Sequence, residues 1–125
     1  MILGTGVDIA EVARIRAAVE RFGPRFVERV YTAAEIAYVE RKANRFERYA
    51  ARFAAKEAGM KALGTGWRMG VRWQDFEVVN LPSGRPTLRL GGKAQTYANK
   101  LGVRNICLSL THTAETGMAH VIFES

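Results

Sequence analysis

Two acidic side chains stand where apolar residues are expected. Asp8 interrupts the opening run Ile2-Leu3-Gly4-Thr5-Gly6-Val7-Asp8-Ile9, which otherwise reads as a β-strand, an element in which aspartate is disfavoured. Glu57 interrupts a stripe traced at helical spacing by Phe46, Ala50, Phe53 and Met60. A carboxylate is costly to bury unless a cation pairs with it, and two such groups can share a divalent ion held by oxygen ligands. Magnesium takes one or two carboxylates and completes its shell with phosphate and water, so the pair predicts a phosphate-bearing substrate. Plainer readings remain open at this level. Asp8 could cap the helix that follows it, and Glu57 could form an ordinary i,i+4 surface pair with Lys61.

The charge around Glu57 points the same way. Residues 41–61 carry seven cations, Arg41, Lys42, Arg45, Arg48, Arg52, Lys56 and Lys61, against Glu47 and Glu57. Arg48, Arg52 and Lys56, spaced by four, form a ridge expected to lie beside the face that holds Glu57, a layout suited to pyrophosphate and its metal. A solvated helix face accounts for most charge runs, so the ridge carries weight only together with the two acids. Over the whole chain of 125 residues the net charge is +7, which favours anionic partners such as phosphates, nucleic acid or acidic proteins. Composition is that of a globular domain, 48% hydrophobic and 25% charged, and the length suits a single domain over residues 1–125. The single Cys107 cannot form an internal disulfide, and the first apolar run stops at Asp8, too soon for a signal peptide or membrane span. A cytoplasmic location is the expectation.

These residues need elements to position them. A strand over 2–9 leads into a helix from Val12, with Val12, Ile15 and Val19 on one face, ended by Gly23-Pro24. A short helix is expected over 25–30, and Thr32-Ala33-Ala34-Glu35 is a capping box opening a third helix. The strongest helical signal runs over 45–63, stopped by Gly64-Thr65-Gly66. Beyond it the pattern becomes strand-like over 73–79, with a turn at Pro82-Ser83-Gly84-Arg85-Pro86 and a strand over 87–90. A helix over 93–101 and an antiparallel pair, 105–111 with 118–124, complete an α+β chain whose helices lie mainly in the first half against a small antiparallel sheet.

Gly6-Val7-Asp8-Ile9, Arg52-Phe53-Ala54-Ala55-Lys56-Glu57-Ala58 with Lys61, Gly64-Thr65-Gly66, and Ser109-Leu110-Thr111-His112-Thr113 resemble the motifs of the holo-acyl-carrier-protein synthase family. The likeness spans essentially the whole chain in the right order, and the segment around Lys56-Glu57 is the specific part. It implies a 4′-phosphopantetheinyl transferase-like fold. It also implies a magnesium-dependent activity, transfer of 4′-phosphopantetheine from coenzyme A to a serine of an acyl carrier protein in support of fatty-acid biosynthesis, leaving adenosine 3′,5′-bisphosphate.

Residue by residue, the resemblance makes Asp8 and Glu57 the metal ligands and sets Lys61 beside them at the pyrophosphate. Glu57 is then the candidate base for the carrier serine, directly or through a metal-bound water. Arg52, Phe53, Gly64, Gly84, Arg85, Pro86, His112 and Thr113 are implied around coenzyme A, with Arg85 standing where many relatives have lysine. Arg14, Arg21 and Arg25, with Phe26 as apolar neighbour, match positions that meet the acidic helix of the carrier, and Arg16 either joins them or faces solvent. The family is trimeric with sites at subunit boundaries, so a homotrimer is implied. His112 and His120 lack a third ligand at metal spacing, so zinc is not expected. A small nucleic-acid-binding module, using Trp67, Trp73 and Tyr97 as stacking groups, competes on charge but leaves Asp8 and Glu57 unexplained. A non-catalytic coenzyme A-binding trimer would need one acid dispensable. Neither nucleic acid nor membrane is an expected partner.

Overall fold

The computed structural model describes residues 1–66 and 68–125. Its centre is α4, Arg45–Leu63, with 12 of its 19 residues buried. One side of α4 carries a three-stranded antiparallel sheet ordered β1 (Ile2–Glu11), β5 (Thr116–Glu124), β4 (Asn105–His112). On its other side lie α3 (Ala33–Glu40) and a two-stranded hairpin of β2 (Phe76–Asn80) and β3 (Pro86–Leu90). The helices α1 (Val12–Phe22) and α2 (Pro24–Val30) pack near one end, and α5 (Gly92–Leu101) connects β3 to β4.

Small residues explain how a helix can be covered from two sides. Ala50, Ala51, Ala54, Ala55, Ala58 and Ala62 of α4 are all buried, and glycines face them from the sheet. A Cβ at Gly4 would strike the Ala62 carbonyl, one at Gly6 the Ala58 carbonyl, and one at Gly117 the backbone of Ala50 and Ala51. Strand and helix backbones therefore touch, which no larger side chain would permit. This gives the Gly4-Thr5-Gly6 motif a packing role.

Local signals read from the sequence reappear as geometry. Thr32 Oγ1 accepts from the Glu35 amide at 3.2 Å while Glu35 Oε1 accepts from the Thr32 amide at 3.0 Å, completing the capping box. Gly64 ends α4 at φ 84°, in the left-handed region. Two expectations are corrected. The strand expected from residue 73 begins at Phe76, because Trp73–Asp75 forms a 3₁₀ turn in which Asp75 accepts from the Arg72 amide at 3.0 Å and from its guanidinium. Asp8 does not cap α1. The N-cap is Glu11, and the Asp8 side chain instead accepts from the Ile9 amide at 2.9 Å.

Candidate active site

Across the β1–α4 contact, Asp8 meets the last turns of α4. Lys61 Nζ lies 3.3 Å from Asp8 Oδ2 and donates to the Val7 carbonyl at 3.2 Å, so Lys61 pairs with the strand. The plain i,i+4 pair of Glu57 with Lys61 is not formed. Glu57 is half-buried, and its carboxyl is held above the ordinary carboxylate range, first by burial and then by the negative charge of Asp8, with Lys61 and Arg14 opposing. Two carboxylates brought together beside a cation, with Glu57 held above its ordinary range, are a donor set that suits a hard divalent ion. Among the described residues no group of three or more His, Cys, Asp or Glu side chains gathers at metal-binding distance, so any ion here would draw most of its shell from substrate or water.

The cationic ridge is corrected. Arg52 stands about 140° round the helix from Glu57, and Arg48 and Lys56 share its direction, toward α3 and β2. Lys56 is wholly buried and donates to Glu35 Oε1 at 2.7 Å, to the Phe76 carbonyl at 2.8 Å and to the Trp73 carbonyl at 3.3 Å. It is a structural clamp with no donor left for a substrate phosphate. Burial lowers its ammonium pKa, and Glu35 opposes that shift. Arg52 is also buried, its guanidinium 4.6 Å over the Tyr38 ring, and its Nε has no hydrogen-bond partner among the described residues. It lines a cleft of about 270 Å³ with Tyr38, Arg41 and Asn80.

The remaining candidates fall into separate groups. Phe53 joins an aromatic stack, its ring centroid 4.9 Å from Trp73 and 6.4 Å from Phe26. Gly84, at φ 89°, turns the β2–β3 hairpin and sets Arg85 and Pro86 over a shallow cleft of about 140 Å³ against Asn105 to Leu108 of β4. His112 and Thr113 stand at the opposite end of β4, on the order of 20 Å away at strand rise. One chain therefore does not bring all the nucleotide candidates together. Arg14, Arg21 and Arg25 are exposed on α1 and α2, and Arg25 lines a cleft of about 270 Å³ with Phe22, Phe26 and Arg29. Arg16 lies apart from them, 4.8 Å over the Phe46 ring.

A family profile described as the 4′-phosphopantetheinyl transferase superfamily matches residues 4–113. The chain belongs to this superfamily. It is 72% identical, over the full length of both chains, to a holo-[acyl-carrier-protein] synthase of Solibacter usitatus (strain Ellin6076). Among solved structures, holo-[acyl-carrier-protein] synthase from Neisseria meningitidis superposes with a TM-score of 0.90 at 31% identity, covering all of both chains. The Helicobacter pylori synthase, solved in complex with coenzyme A, gives 0.83 at 29% identity, covering 96% of this chain and 99% of its own.

Several residues of this superfamily member escape motif reading. Glu47, in the first turn of α4, binds His112, its Oε1 2.9 Å from Nδ1. Glu35 is the buried partner of Lys56, and Arg29 joins the basic cleft on α2. Only the capping box singled out Glu35, and nothing in the spacing singled out Glu47. Of the stacking groups weighed for nucleic acid, Trp73 is committed to Phe53, Tyr97 donates to the Met69 carbonyl at 2.8 Å, and Trp67 lies outside the described residues. No helix among the described residues is long and apolar enough to cross a membrane.

Proposed function

We propose that this chain transfers the 4′-phosphopantetheine group of coenzyme A to a serine of an apo acyl carrier protein, releasing adenosine 3′,5′-bisphosphate. The meeting of Asp8, Glu57 and Lys61 across the β1–α4 contact carries the reading, in a chain whose full-length relative at 72% identity is a holo-[acyl-carrier-protein] synthase. Asp8 and Glu57 would hold magnesium, which when bound neutralises pyrophosphate charge and the charge developing on the leaving phosphate. Glu57 is the acceptor of the serine proton, directly or through one water. Lys61 donates to the phosphate oxygens from its place beside Asp8. The serine oxygen forms the new bond to phosphorus as the bond to the bisphosphate breaks.

A homotrimer with sites at its subunit boundaries is part of this proposal, and two observations support it. The nucleotide candidates divide between the two ends of β4, as a site completed by a second copy would require. On the sheet face turned away from α4, Val7, Ile9 and Met118 are exposed at 48%, 59% and 37%, an apolar strip that a neighbouring copy would cover. Arg14, Arg21, Arg25 and Phe26 would receive the acidic carrier. The cytoplasm, where coenzyme A and carriers meet, is the proposed setting, and neither nucleic acid nor a membrane is a proposed partner. Incubation with coenzyme A, magnesium and an apo carrier should add one phosphopantetheine mass to the carrier. Asp8→Ala and Glu57→Ala should each abolish the gain while remaining folded by circular dichroism. Wild-type turnover in either variant would overturn the shared-metal assignment.

A further inference from the structure

Glu47 is out of place electrostatically. Every other charged residue between positions 41 and 56 is a cation, so Glu47 is the one carboxylate in this basic stretch. The structure supplies its partner. Glu47 Oε1 lies 2.9 Å from Nδ1 of His112, joining the first turn of α4 to the end of β4, and both side chains are about a quarter exposed.

The chemistry of this contact fixes the imidazole. An ionised carboxylate only accepts hydrogen bonds, so Nδ1 must carry the hydrogen, and Nε2 is the ring nitrogen left to meet a ligand. Among the described residues His112 makes no other side-chain hydrogen bond, and its cross-strand partner Gly117 brings no charge. We infer that Glu47 is a positioning residue for coenzyme A: it holds the Nδ1 hydrogen of His112 and aims Nε2 at a phosphate oxygen of the nucleotide. A phosphate oxygen likewise only accepts, so the ring that binds it carries hydrogens on both nitrogens. Glu47 is then the counter-ion of an imidazolium, and its negative charge serves anion binding. Without it the ring loses its counter-ion and is free to rotate out of line. This inference rests on the transferase reading, in which His112 faces coenzyme A.

The test uses the full chain with Glu47→Gln, His112→Asn and the double variant, each checked for folding by thermal unfolding. Steady-state assays with coenzyme A, magnesium and apo carrier should show KM for coenzyme A raised about tenfold in Glu47→Gln, the loss of roughly one charge-assisted hydrogen bond. At saturating coenzyme A, kcat should stay within about twofold, because Asp8, Glu57 and Lys61 are untouched. The double variant should be no worse than His112→Asn, since Glu47 acts only through the imidazole. Nitrogen-15 spectra of the wild-type side chain should show Nδ1 protonated. An unchanged KM, losses that add in the double variant, a fall in kcat equal to the rise in KM, or a wild-type Nδ1 without its hydrogen would each overturn the inference. Should Glu47→Gln not fold, the wild-type spectrum still decides. A wild-type protein that transfers nothing and binds no coenzyme A by calorimetry would instead overturn the transferase reading.

Discussion

Replacing Lys56 by methionine should cost this protein a large part of its stability without touching its chemistry. The ammonium and the Glu35 carboxylate are both 0% exposed and 2.7 Å apart. Methionine matches the length of the lysine stem but leaves Glu35 ionised, or forced to take a proton, in the interior. Thr32 and Val78 amides still donate to the carboxylate at 3.0 Å each, so it is not wholly orphaned. The Phe76 carbonyl, however, loses its 2.8 Å donor from Lys56. Breaking a buried pair by deleting one partner costs about 3–5 kcal/mol, against a total of about 6–19 kcal/mol for a chain of this length. Urea unfolding followed by circular dichroism, at one protomer concentration because assembly feeds into the midpoint, should show the loss with an unchanged m-value. The double variant Lys56→Met/Glu35→Gln should be more stable than Lys56→Met alone, since it removes the stranded charge. A Lys56→Met protein within about 1 kcal/mol of wild type would refute the clamp. A folded variant with a selectively raised KM for coenzyme A would return Lys56 to the phosphate site.

The raised pKa of Glu57 means that the folded chain holds this proton more tightly than the unfolded chain does, so stability falls as pH rises from the ordinary carboxylate range through the raised value. Glu57→Gln should therefore raise the metal-free melting temperature at neutral pH, with the gain vanishing below the ordinary carboxylate range. Magnesium should raise the melting temperature of wild type but not of this variant. Gly6→Ala would drive a Cβ into the Ala58 carbonyl and force β1 off α4, costing about 1–3 kcal/mol and separating Asp8 from Glu57. Its kcat should fall with its melting temperature, and an unchanged kcat would refute the backbone-contact argument. Arg21→Glu, on an exposed position of α1, should raise KM for the carrier in a salt-dependent way and leave KM for coenzyme A unchanged. Equal losses for both substrates would place Arg21 in the nucleotide site.

Amino-acid order alone determined the local elements, because their signals are short-range. Thr32 and Glu35 close a turn through their own side chains, and Gly64 ends a helix by a conformation that other residues avoid. It also singled out Asp8 and Glu57, since a carboxylate in an apolar pattern is visible without knowing its surroundings. Tertiary structure alone decided which side chains those acids meet and what the neighbouring cations do. The pairing of β1 with β5 brings together residues more than a hundred positions apart, and the packing of α4 on β1 sets Lys61 against Asp8 in preference to Glu57. Helical spacing placed Arg48, Arg52 and Lys56 on one ridge but could not say what covers it. A helix packed on two sides by alanine and glycine contacts has little solvated face left, so the ridge became an interior clamp of Lys56 on Glu35. Glu47 and His112, 65 positions apart, met for the same reason: their contact depends on where the end of β4 lands against the first turn of α4, a distance no local pattern encodes.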